Sequence, residues 1–125
     1  MILVDTSVWV SHFRAHNQTL ARLLESGQTL THPFVIGEIA LGNLRERSVV
    51  LHDLALLPCA NVASEAEVLH FISRNSLFGI GIGYVDVHLL ASVRLRSGNR
   101  LWTLDKHLRA AAENLQLAAT ADHLA

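Results

Sequence analysis

The sequence predicts an α/β fold of three layers, α/β/α, in which a short parallel sheet of four or five strands is flanked by helices. Three observations predict it. Two runs, Ile2 to Asp5 and Arg100 to Asp105, are apolar at nearly every position rather than every second one, as expected of strands buried on both faces. Strand candidates alternate with segments of helical periodicity, which implies βαβ units and a parallel sheet. Half of the 125 residues are hydrophobic and 17% are charged, enough apolar matter for one core, so residues 1–125 are read as a single domain rather than a disordered chain.

The elements follow in order. Ile2 to Asp5 is the first strand, and Thr6 or Ser7 caps a helix carrying Val8, Trp9 and Phe13. Asn17 or Thr19 opens a second helix through Leu20, Leu23 and Leu24, which Gly27 stops. Gln28 to His32 reads as a strand. Pro33 suits the first position of a helix spanning Phe34 to Leu44. Arg45 to Leu57 is a further helix, ended by Pro58, and Cys59 to Val62 is a small strand. Ser64-Glu65-Ala66-Glu67 is a capping box opening a helix through Leu69 and Ile72. Val85, Leu89, Leu90 and Val93 recur at helical spacing within Tyr84 to Arg96. After the strand Arg100 to Asp105 come a helix over Lys106 to Asn114 and a last strand over Gln116 to Ala119.

Cys59 is the single cysteine, so no internal disulfide forms and a reducing compartment is expected. No run approaches the roughly 20 apolar residues of a membrane span. The start, Met1-Ile2-Leu3-Val4-Asp5, lacks the basic region of a leader. A cytoplasmic protein is expected. Net charge is −1, which alone argues against nucleic acid.

Most of the 11 acids fit polar helix faces, caps or the terminus, but four do not. Asp5 and Asp105 each end an apolar strand, and in open parallel sheets the ligand crevice lies beyond the carboxyl ends of the strands. Asp86 precedes Leu90 and Val93 by four and seven residues and so shares their inward side. Glu38 lies between Phe34 and Leu41 at the same kind of spacing. The bland alternative is that helix N-terminal N–H groups satisfy these acids. Gathered in one crevice, however, carboxylates repel, and a cation neutralises them. Oxygen-only ligands suit Mg²⁺ or Mn²⁺, and such ions activate water in phosphodiester cleavage. Thr103 precedes Asp105 by two residues on the same strand face, and Ser7 follows Asp5 by two. Both hydroxyls are placed to orient a carboxylate or a water.

Val4-Asp5-Thr6-Ser7, Glu38, Gly83-Tyr84-Val85-Asp86-Val87-His88-Leu89-Leu90-Ala91 and Trp102-Thr103-Leu104-Asp105 resemble the four motifs of PIN-domain ribonucleases, in that order and over essentially the whole chain. Length and spacing most resemble the toxin half of VapBC toxin–antitoxin pairs. The resemblance implies that Asp5, Glu38, Asp86 and Asp105 hold Mg²⁺, with Mn²⁺ a substitute, at the carboxyl edge of the sheet. It also implies an endoribonuclease cutting structured RNA and a separate VapB-type antitoxin. An aromatic residue often follows the last motif, where this chain has Leu108. A homodimer is expected, with apolar residues of Leu77 to Ile82 as its surface and with a partner helix lying near Val8, Trp9, Phe13 and Phe34.

Other signals carry less. His12 and His16 have metal-ligand spacing, but no third ligand is placed by sequence; surface histidines are the default. His88 is about 200° around its helix from Asp86 and should face away from it. His107 reads as a helix-start residue. Gly79-Ile80-Gly81-Ile82-Gly83 lacks the spacing of a nucleotide loop and reads as a flexible approach to Asp86. Without the four acids, ten basic residues face seven acidic ones, a surplus of three in which arginine predominates. Arg45, Arg47, Arg74, Arg94, Arg96, Arg100 and Arg109 then suit a polyanion or simply solvated helix faces. Two rival readings stand: a phosphatase forming an aspartyl-phosphate on Asp5, although Ser7 sits where such enzymes carry a second acid, and a binding module that has kept the fold.

Overall fold

The computed structural model describes residues 1–125. At its centre lie three parallel strands, β1 (Ile2–Val4), β2 (Thr29–Leu30) and β3 (Arg100–Trp102), in the order β2-β1-β3. Ile2 pairs with Thr29 and Arg100, Leu3 with Leu30 and Leu101, and Val4 with Trp102. Every residue of β1 and β2 is buried, which explains why these runs are apolar without alternation.

The sheet is narrower than four or five full strands. The two outer candidates shrink to single bridges, Cys59 to Thr31 and Ala118 to Leu101. Pro58 lacks the N–H that would extend the first. Thr120 turns the chain away after the second, as N-cap of a last short helix. Five chain segments therefore line up, but the outermost two touch at one residue each.

Eight helices flank the sheet: α1 (Thr6–Arg14), α2 (Gln18–Glu25), α3 (Pro33–Leu41), α4 (Arg47–Ala55), α5 (Glu65–Arg74), α6 (Tyr84–Arg94), α7 (Lys106–Asn114) and α8 (Ala121–Leu124). Asn17 caps α2, its Oδ1 accepting the Leu20 N–H at 3.0 Å. The capping box of α5 forms, with Ser64 Oγ accepting from Glu67 N at 3.1 Å and Glu67 Oε1 accepting from Ser64 N at 2.8 Å. The cap of α1 is Asp5 rather than Thr6 or Ser7. The α4 helix starts two residues later than the pattern suggests, because Glu46 adopts a left-handed φ of 50°. The α8 helix is too short for its periodicity to show. The α6 helix is buried from Val87 through Val93, apolar on nearly all sides as a central helix must be.

The core joins Leu3 and Val4 of the sheet to Val8, Leu20, Leu89, Leu90 and Leu108 of the helices, all fully buried. Leu108, standing where an aromatic would be usual, is thus a core residue. Leu104 is not. β3 ends two residues earlier, and the side chain is half exposed where the chain turns into α7.

Two histidines depart from the surface default. His88 is buried, and so is His32, at the start of α3. His32 Nδ1 accepts the Phe34 N–H at 3.0 Å, so its proton sits on Nε2, which donates to Ser92 Oγ at 3.1 Å. Burial, and secondarily His88, push its pKa down to about 4. The unfolded chain takes up this proton near pH 6.5, whereas the native state resists until about pH 4. Native stability should therefore be unaffected by this group above pH 6.5 and fall by about 1–3 kcal/mol between pH 6.5 and 4. Urea unfolding across that range measures the loss, and His32→Asn should flatten it.

Candidate active site

The four acids are held by three local devices. Asp5 follows β1 directly and caps α1. Asp105 caps α7, its Oδ1 accepting the Leu108 N–H at 2.9 Å. Asp86 lies in the first turn of α6, where its Oδ2 accepts the Gly83 N–H at 3.1 Å. Glu38 lies in α3, with Oε1 accepting from Thr6 Oγ1 at 2.7 Å. The helix N-terminal reading is thus correct for three of the four, and it does not exclude the crevice: the caps aim the carboxylates. Glu38 is exposed rather than set among apolar neighbours.

Register explains the centre of the site. Val4 pairs with Trp102, and the Asp5 N–H donates to Trp102 O at 3.0 Å, so Asp5 stands beside Thr103. Thr103 Oγ1 donates to Asp5 Oδ2 at 2.8 Å and accepts the Asp105 N–H at 3.0 Å. Ser7 Oγ donates to the same Oδ2 at 2.6 Å and accepts the Leu104 N–H at 3.0 Å. Both hydroxyls expected from sequence are therefore in place, tying the Asp5 and Asp105 motifs together. Asp5 and Thr103 are buried.

One oxygen of each carboxylate is held by neutral donors, and the other takes no hydrogen bond from the protein. Burial raises the pKa of Asp86, and Asp5, Asp105 and Glu38 raise it further, against the Gly83 N–H that lowers it. Asp86 thus feels the other three acids. No three of the four converge on a single point. The donor set nonetheless fits a hard divalent cation: four carboxylates, each with a spare oxygen, and no cationic side chain bonded to any of them.

The glycine-rich approach to Asp86 has a defined contact. Gly81 has a φ of 85°, and a Cβ there would come within 3.2 Å of the His107 ring. The loop before α6 and the start of α7 therefore pack together, and both carry a site acid. No pattern in the sequence signals this contact. His88 faces away from Asp86 as expected, packing on Phe34 and Tyr84 with ring centroids 4.6 and 4.7 Å apart. Among the arginines, Arg47, Arg94 and Arg100 are tied to backbone carbonyls of Ala40, Leu115 and Gln116.

A family model, PIN domain, matches residues 2–114. The chain belongs to the PIN domain family. It is 50% identical over 111 residues to Ribonuclease VapC32 of Mycobacterium tuberculosis, across 89% of this chain and 90% of that protein, in both strain CDC 1551 / Oshkosh and strain H37Rv. This places it in the VapC branch of the family. Among solved structures, FitAcB of Neisseria gonorrhoeae matches with a TM-score of 0.61 at 21% identity, over 90% of this chain and 94% of that one. PAE2754 of Pyrobaculum aerophilum matches with a TM-score of 0.60 at 20% identity, over 90% and 79%. These two establish the fold. No helix of this PIN domain is long and apolar enough to cross a membrane.

The acids should separate by their structural roles. Asp86 ionises at a cost, so Asp86→Asn should leave the melting temperature in EDTA at pH 7 unchanged or higher. The difference should vanish as pH falls through the raised native pKa, where the parent is protonated too. Asp5→Ala, which strands Thr103 and Ser7, should instead cost about 1–3 kcal/mol. Thermal melts of the two variants side by side test both.

Proposed function

We propose that this PIN domain, a single domain over residues 1–125, is a Mg²⁺- or Mn²⁺-dependent endoribonuclease and the toxin of a type II toxin–antitoxin pair, acting in the cytoplasm. One observation supports the reading: at the carboxyl end of the parallel sheet Asp86 feels the charges of Asp5, Asp105 and Glu38, and no cationic side chain is bonded to any of the four. Half identity to a protein named a ribonuclease supports the same chemistry.

Asp5, Glu38, Asp86 and Asp105 would hold the ion through their spare oxygens. When bound, such an ion neutralises charge developing on the scissile phosphate and makes water a better nucleophile. A nearby cation would offset the burial and like charge that penalise ionisation of Asp86. Thr103 and Ser7 fix the rotamer of Asp5, leaving one oxygen toward the crevice. Ser7 is an orienting group rather than a nucleophile, since its hydroxyl already donates to Asp5 and accepts from Leu104. A phosphoenzyme on Asp5 is disfavoured by burial of that residue.

For a partner helix, Val8 is excluded because it is fully buried, and Phe34 packs on His88, which leaves the groove beside Phe13. Trp9, Phe13, Leu24, Val50, Leu54 and Leu57 line a groove of about 210 Å³ between helices, and the buried Trp9 Nε1 has no acceptor. This groove suits an amphipathic helix of a VapB-type antitoxin, which would place an Arg against the acids. A homodimer would use Phe78 and Ile80, which are exposed; Leu77, expected with them, is a core residue.

Purified protein should cut RNA with Mg²⁺ or Mn²⁺ and not in EDTA, and Asp86→Asn should lower the rate at least 100-fold while the fold persists, on the scale of losing a key electrostatic group. Cleavage that survives EDTA would sink the metal assignment. Thr103→Val should weaken cleavage and cost about 1–2 kcal/mol, whereas half-exposed Leu104→Ala should cost under about 1 kcal/mol. Expressed alone, the chain should arrest growth, and co-expression of its antitoxin should restore it. Harmless expression of active enzyme would refute the toxin role and leave the nuclease role intact.

A further inference from the structure

The N-terminal end of α3, the helix that carries Glu38, meets α6, which carries Asp86, at a contact of unusual composition. Tyr84, His88 and Ser92 recur every four residues and form one stripe along α6. Phe34 of α3 packs on His88, and the His32 ring packs on Phe34 with centroids 5.2 Å apart. His32 and Ser92 are both fully buried. The His32 imidazole is bonded at both nitrogens: Nδ1 holds the first turn of α3 through the Phe34 N–H, and Nε2 holds α6 through Ser92 Oγ. A leucine or valine pair would bury more apolar surface here without the cost of desolvating two polar groups. What the polar pair adds is direction and distance, because a hydrogen bond tolerates less displacement than an apolar contact.

We infer that the His32–Ser92 bond is a positioning link that sets the gap between Glu38 and Asp86, and with it the affinity of the crevice for a divalent cation. The inference rests on the nuclease reading above. Glu38 lies six residues beyond His32, and Asp86 six residues before Ser92. Each helix is a stiff body, so a shift at this contact is carried to both carboxylates. Mg²⁺ demands near-ideal octahedral geometry, and coordination distances are set to within about 0.2 Å. Small displacements of one carboxylate should therefore be read directly as lost affinity. The link touches neither ion nor substrate, and it acts only through the helices it joins.

The test is Mn²⁺ titrated calorimetrically into the full chain, with melting curves to establish that each variant is folded at the assay temperature. Ser92→Ala should weaken Mn²⁺ binding about tenfold, the low end of the loss seen when the support of a ligand shell is removed. RNA cleavage should show a lower kcat with little change in KM. His32→Asn is the second variant: it keeps an acceptor for the Phe34 N–H but is too short to reach Ser92, and it should give the same loss. A lower melting temperature with parental Mn²⁺ affinity in either folded variant would make the bond merely structural and overturn the inference. A parent chain that neither binds Mn²⁺ nor cuts RNA would instead overturn the nuclease reading itself.

Discussion

The bond from Thr103 Oγ1 to Asp5 Oδ2 spans 98 positions of sequence at 2.8 Å, and the site depends on the strand pairing that makes it possible. Parallel register sets Val4 against Trp102, so the two chains leave the sheet side by side. Each then turns into a helix whose N-cap is an aspartate. In a parallel sheet both chains exit at the same end, and that end carries both aspartates. An antiparallel pair would send the two aspartates to opposite edges. The cost falls on Asp86, whose pKa is raised by burial and, beyond that, by Asp5, Asp105 and Glu38.

The rest of the molecule holds this arrangement in place. Thr103 and Ser7 cross-link the two strand ends, each taking a backbone N–H as it donates to Asp5. Thr6 holds Glu38 from the first turn of α1, and Gly81 lets the loop before α6 lie against His107 of α7. The core beneath is apolar and continuous, so the polar groups at the sheet's end are mounted on a rigid base. The α1 helix that Asp5 caps also lines, with α2 and α4, the groove of Trp9, Phe13, Leu24, Val50 and Leu54.

Legibility varied with how local each signal was. Asp5 and Asp105 stood out because an acid ending an unbroken apolar run belongs neither to a polar helix face nor to a strand interior. Asp86 stood out because its spacing to Leu90 and Val93 put it on a buried face. Glu38 was harder. Its apolar neighbours suggested an inward side, yet it is exposed, and only its bond to Thr6 and its influence on Asp86 join it to the group. His32 showed no sign at all. A histidine before a proline reads as a loop residue, and its burial depends on Ser92, sixty positions away.

Sequence alone left the α2 cap open between Asn17 and Thr19 but determined the alternation of strand and helix, the α5 capping box, the burial of the central strands and the choice of four candidate acids with two hydroxyl neighbours. These rest on interactions within a few residues, or on composition that only two-sided burial permits. Tertiary structure alone decided the width of the sheet, because whether Cys59 and Ala118 extend it depends on what lies beside them. It decided that Leu104 faces solvent while Leu77 enters the core, since strand alternation stops where β3 does. It also decided that His32 joins α3 to α6 through a neutral imidazole, because burial and a distant hydroxyl, neither encoded nearby, fix both its place and its proton.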